Sequence, residues 1–164
     1  MAINIFLKLE NPAIRGESTD DRHSDEIQVL SWSHSFSQPT RAGRSSLDAG
    51  TTEQANHSDF TFSKYLDTAT DDLLKYCWNG DRIGKATLSC YRSDGDEAQI
   101  LYLTIVMENL IVSNVSIGGG QGDLPTETIS LAYGKVAYSY KSQNPARDAG
   151  AGPVSHDLVR QVVG

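Results

Sequence analysis

The chain has 164 residues, a length that predicts a single domain spanning residues 1–164. Its apolar share of 38% predicts a thin core under a large polar surface, and its formal net charge of −7 excludes the basic stripe that a nucleic-acid backbone or an anionic membrane surface requires. No run reaches the roughly 18 apolar residues of a spanning helix. At the start, apolar residues alternate instead of forming the basic and apolar blocks of a secretory leader. The expectation is a chain made in the cytoplasm, with no membrane insertion, which leaves the cell, if it does, without a signal peptide.

Strand patterns dominate. Ile3, Ile5, Leu7 and Leu9 alternate, as in a half-buried strand, and the polar stretch Asn11 to Glu26 reads as a loop. From Ile27 a second strand begins with Ile27 and Val29 in one phase. It continues with Leu30, Trp32, His34 and Phe36 in the other, a switch that implies a bulge or twist. The face opposite the second set carries Ser31, Ser33 and Ser35, small and polar, and is expected to meet water. Residues 39–56 read as an extended loop, with Leu47 its lone large apolar side chain.

Phe60 and Phe62 mark a third strand. One helix follows: Thr68 or Thr70 at its cap, Asp71 and Asp72 in its first turn, Leu73, Leu74 and Cys77 on its apolar face, Gly80 at its end. Ala86, Leu88 and Cys90 alternate in the next strand, which turns at Ser93 to Asp96. The strand after that has Leu101, Leu103, Ile105 and Met107 on one face and Ile100, Tyr102, Thr104 and Val106, also largely apolar, on the other. Such a strand is covered on both sides, by the helix or by another subunit. Leu110 to Ile117 continues as β, and Gly118 to Gly122 forms a flexible connection. One last long strand runs from Glu127 to Lys141 with Gly134 at a phase switch. Residues 145–164 read as a C-terminal tail.

Motifs for chemistry are absent. His23, His34, His57 and His156 have no metal-ligand spacing and read as surface or strand-edge residues. Ser45 and Ser46 lie near glycines without a nucleophile-elbow pattern, and Asp20, Asp21, Asp25 and Glu26 lack the calcium-loop pattern. Cys77 and Cys90 read as reduced thiols. The sequence thus points to a non-enzymatic all-β protein with one short helix and no cofactor or metal. Two other readings stand beside self-assembly. One is a monomeric or dimeric ligand-binding β-barrel or sandwich, with Trp32, Trp78 or the tyrosines lining a pocket. The other is a small hydrolase using His34, His57 or His156.

Several runs resemble, in order, the Hcp (haemolysin-coregulated protein) family of the type VI secretion system. They are Gly16-Glu17-Ser18-Thr19-Asp20, Asp25 to Ser33, Asp59 to Asp67 with its F-x-K-x-x-D pattern, Leu110 to Ser116 followed by glycines, and Thr128 to Tyr140. The resemblance implies a compact β-barrel of two sheets, similar to phage tail-tube proteins. Six copies form a ring, and rings stack into an inner tube that carries and protects effector proteins and is secreted on firing. The implied partners are further copies of the chain, effectors, and the sheath, spike and baseplate proteins. The resemblance places Ser33 where the family contacts cargo, with Ser31 and Ser35 beside it on the pore wall. Arg41, Arg44 and Leu47 in the long loop, Gly95 in the turn and Arg160 in the tail are the candidates for ring stacking. The run from Arg41 to Gln54 departs from the glycine-rich loop of some relatives.

Overall fold

In a computed structural model, residues 3–39, 55–94, 98–141 and 153–164 are described. β1 (Ile3–Glu10) buries Ile5, Leu7 and Leu9, as its alternation requires. It lies antiparallel to β7 (Arg82–Asp94), with Leu7 opposite Leu88. β7 in turn pairs with β8 (Ala98–Gly118), a strand of 21 residues, with Leu88 opposite Ile105 and a register shift after Cys90.

β8 outlasts any single partner. On its second edge it carries β10 (Lys135–Tyr140) opposite Leu103 to Glu108 and β9 (Thr126–Ala132) opposite Ile111 to Gly118. The single last strand expected from Glu127 to Lys141 is therefore two strands, broken at Tyr133–Gly134. The break lies beside Asn109 of β8, which sits in the left-handed region at φ 60°. Gly134 donates its amide to the Glu108 carbonyl at 3.0 Å. A Cβ there would lie 3.2 Å from Asn109 Cβ and 3.3 Å from Val159 Cγ2, so a larger residue would have to push these side chains aside.

β9 passes the sheet to β6 (Phe60–Tyr65), and β6 passes it to β3 (Ser31–Ser33). The run that holds β3 begins as β2 (Ile27–Gln28) on β1. It changes partner at Val29, which donates to the Ile5 carbonyl at 2.9 Å, and Leu30, which donates to the Ser63 carbonyl at 2.8 Å. The ladders thus wrap round the core, and chain, not a further ladder, joins their two ends. Ile27 and Val29 are buried, but Leu30 is exposed and Phe36 is 50% exposed, against the expected single inward face. The switch of partner rotates Leu30 outward. Phe36 belongs to a separate ladder, β4 (Phe36–Ser37) with β5 (Asn56–His57). Arg41, Arg44, Leu47 and Gly95 lie outside the described residues.

The expected plain tail also differs. Residues 154–157 form β11 (Val154–Asp157) and residues 162–163 form β12 (Val162–Val163), a hairpin added to β10 with Val136 opposite His156. The helix α1 (Ala69–Asn79) packs against β8 and buries Ala69 and Leu73. Gly80, at φ 69°, closes it by donating to the Tyr76 carbonyl. Against the expectation for one or the other, neither Thr68 nor Thr70 caps the first turn through its side chain. Asp67 Oδ1 takes the Ala69 amide at 2.9 Å instead, while Thr70 Oγ1 takes the Asp67 amide at 3.1 Å.

Candidate functional site

The cross-strand register builds one polar face. Trp32, Phe62, Ile129 and Val115 sit opposite one another on β3, β6, β9 and β8 and turn inward. Their neighbours in each strand must then turn outward. Ser31 faces Ser63 and Ser33 faces Thr61; Thr61 faces Ser130 and Ser63 faces Thr128; Ser130 faces Asn114 and Thr128 faces Ser116. These eight outward positions hold seven hydroxyls and one amide, with no charge and no large apolar group. Ser31 Oγ lies 2.5 Å from Ser63 Oγ, and Thr61 Oγ1 lies 3.0 Å from Ser130 Oγ. Hydroxyls both donate and accept and rotate to suit a partner, so the face offers adaptable, electrically neutral hydrogen bonding.

At one margin of this face lies a cleft of about 310 Å³ lined by Ser33, His34, Ser35, Ser58, Asp59 and Thr61. Of the three serines singled out in sequence, Ser31 and Ser33 stand on the face, and Ser33 also reaches the cleft. Ser35 lies past the end of β3, where its amide donates to Ser58 Oγ at 2.8 Å and its carbonyl accepts the Ser58 amide at 2.9 Å. The remaining hydroxyl positions, on β6, β9 and β8, escape a sequence reading because only the register brings them beside β3. Arg160 is exposed in the β11–β12 turn, where its amide donates to Asp157 Oδ1 at 3.0 Å.

Beneath the face, the same strands hold a buried ion cluster. Lys64, fully buried, pairs with Glu127 across β6 and β9, and with Asp67 at 2.7 Å. Thr70 Oγ1 donates to Glu127 Oε1 at 3.1 Å, so the helix, its cap and two strands share one network. Glu127 Oε2 has no hydrogen-bond partner. The Lys and Asp of the F-x-K-x-x-D pattern thus fix the helix to the sheet. Glu127, their counter-ion, carries no local signal at all.

The histidines are not isolated surface residues. His34 bonds Tyr138 Oη through Nδ1, and Tyr133 Oη through Nε2 at 2.7 Å. His57 Nδ1 meets the same Tyr133 Oη at 2.7 Å, and His57 Nε2 lies 2.8 Å from His156 Nδ1. Burial lowers the His34 pKa to about 4, and burial together with the His156 charge lowers that of His57. Burial raises both tyrosines, Tyr138 to about 12. Elsewhere His23 stacks on Phe6 at 4.6 Å, bonds Tyr91 Oη at 2.6 Å and pairs with Glu26. It anchors the 11–26 loop. Among the described residues no group of three or more His, Cys, Asp or Glu could hold a metal ion. The two tryptophans do not line a common pocket wall: Trp32 stacks on Phe60 at 5.8 Å, while Trp78 is 77% exposed on α1.

Residues 6–140 match the family described as "Type VI secretion system effector, Hcp". The chain is 35% identical to "Protein hcp1" of Pseudomonas aeruginosa over 157 residues, covering 95% of this chain and 94% of that protein. It is 24% identical to the "Major exported protein" of the same organism, covering 77% and 75%. Its fold superposes on the crystal structure of Hcp1 from Salmonella typhimurium with a TM-score of 0.80 at 31% identity, covering all of both chains. A family match over most of its length, a relative above 30% identity along nearly the whole chain and a shared fold all agree, so this chain belongs to the Hcp family of the type VI secretion system.

Proposed function

We propose that the chain is a structural subunit of the type VI secretion tube. Six copies close a ring whose lumen is lined by the hydroxyl face of β3, β6, β9 and β8, and rings stack to carry effector proteins outward. The observation that supports this most is the composition of that face. A lumen that passes varied proteins needs a wetted wall that offers hydrogen bonds without binding any one charge pattern tightly. Eight uncharged polar positions in register meet that need. The partners on this reading are further copies of the chain, effectors in the lumen, and the sheath, spike and baseplate. The role is structural, and the chain travels from the cytoplasm to the exterior or a target cell as part of the tube.

Ring stacking is assigned to Arg41, Arg44 and Leu47 on one ring face, with Gly95 and the exposed Arg160 as further candidates. Two different surfaces meeting head to tail generate an open stack. The test is Ser33→Glu. It adds a bulky charge to an exposed wall position and is expected to leave rings intact while lowering the amount of effector recovered with them. Unchanged effector recovery removes Ser33 from the cargo surface. Deleting residues 41–50 is expected to spare rings and abolish stacks; loss of rings would place that segment in the seam between subunits.

A further inference from the structure

The cluster of His34, His57, His156, Tyr133 and Tyr138 joins four separate pieces of chain. His34 lies between β3 and β4, His57 on β5, Tyr133 at the β9–β10 break, Tyr138 on β10 and His156 on β11. Four hydrogen bonds link them in a line: Tyr138 to His34, His34 to Tyr133, Tyr133 to His57, His57 to His156. A neutral imidazole has one donor and one acceptor nitrogen. Running the line from Tyr138, each hydroxyl donates to an imidazole nitrogen. Each imidazole then donates from its other nitrogen, and the line ends with His57 Nε2–H donating to His156 Nδ1. The reverse polarity works equally. In both, every link holds one proton and all three imidazoles are neutral.

The line can hold one added proton, because a protonated imidazole donates from both nitrogens; a second breaks it. With His34 and His57 both protonated, Tyr133 Oη receives bonds from both and its own hydrogen has no acceptor in the line. If His156 is protonated as well, two N–H groups face each other across 2.8 Å. The surroundings compensate only in part: a backbone hydrogen bond to Ser58, and after it Asp59, favour charge on His34, but burial outweighs both. Phe36 packs on both His34 and His57, Phe60 on His34, and the positions opposite His156 are Val136 and Val163. The charged or titratable groups that act on the imidazoles are one another, the two tyrosines and Asp59. Asp59, an exposed residue, already accepts a hydrogen bond from Ser113 Oγ at 2.6 Å. Asp157, next to His156, accepts the amides of Val159 and Arg160.

We propose that this line is an acid-sensitive latch: at neutral pH it holds the β11–β12 hairpin and the β4–β5 ladder against β10, and acidification releases them while the rest of the sheet stays folded. The direction follows from linkage. His34 and His57 bind protons less readily when packed than when released, so packing is favoured above the ordinary imidazole value of about 6.5. That preference is lost as pH falls from there towards about 4 for His34. Each such histidine lowers the packed-to-released ratio by up to about tenfold per pH unit in that window.

The test is amide hydrogen exchange of the intact protein between pH 8 and 4.5, corrected for the intrinsic pH dependence, beside an NMR titration of its imidazoles. The expected result is loss of protection in residues 153–163 and 55–58 below about pH 6, with α1, β7 and β8 still protected, and with His34 and His57 titrating below the ordinary imidazole value of about 6.5. His156→Gln removes the charge that faces His57 and is expected to shrink the pH-dependent change in residues 55–58 at least threefold. Protection that stays uniform down to pH 4.5, or falls equally along the whole chain, overturns the latch. So does a wild-type titration in which all imidazoles behave alike, a result that needs no variant to fold.

Discussion

Lys64 shows how much one residue decides. Its ammonium is fully buried between Glu127 and Asp67, and the pair spans two strands and the helix cap. Removing one partner leaves an unpaired buried charge, whereas replacing the pair with apolar side chains of similar volume removes both desolvation costs. Lys64→Met is therefore expected to destabilise the fold by about 3–5 kcal/mol. Adding Glu127→Leu and Asp67→Asn to it should recover part of that loss, read from denaturant midpoints. Equal loss in the single and combined variants would mean that the charges matter for more than mutual compensation. Gly16 makes a second point at this scale. A Cβ there would lie 2.5 Å from the Glu26 carbonyl oxygen and 2.7 Å from Ile27 Cα, both backbone atoms that cannot step aside. Gly16→Ala is expected to cost about 1–3 kcal/mol by overpacking, seen as a lower melting temperature.

Among the elements, those with a sustained pattern were legible in sequence. β1, β6, β7, the helix and the β8 core positions follow directly from alternation or from the acidic start and glycine stop of α1. Elements that owe their existence to neighbours were not. β11 has only four residues, and His156 becomes an inward residue because Val136 lies opposite it, not because of anything beside it in sequence. The split of the last strand lies beside Asn109, a residue with positive φ far earlier in the chain. Of the candidate face only Ser31 and Ser33 were visible in sequence. The other positions needed the β6–β9–β8 register, which no local pattern encodes. The helix offers an element-scale check. Leu73 is fully buried against the sheet, so Leu73→Ala is expected to cost about 2–5 kcal/mol by leaving a cavity. Lys75, exposed on the same helix, should tolerate alanine within about 0.5 kcal/mol. Similar losses at both positions, measured by chemical denaturation, would mean that the helix is not docked through Leu73.

At the scale of the whole molecule, the acidic balance and the thin core take on a common meaning. β8 keeps Ile100, Tyr102 and Val106 half-buried, and α1 packs against the same strand; on the proposed ring a neighbouring subunit supplies the remaining cover. A charge of −7 per chain, repeated round the proposed ring, would favour solubility and disfavour nucleic acid, while the proposed lumen wall itself is neutral. The central claim is that six copies close with the β3–β6–β9–β8 hydroxyl face inward. A single-particle electron-microscopy reconstruction of the purified protein tests it most directly. The expected result is a sixfold ring with Ser33, Thr128 and Ser116 on the lumen wall; separate subunits at high concentration, or rings with that face outward, would contradict it.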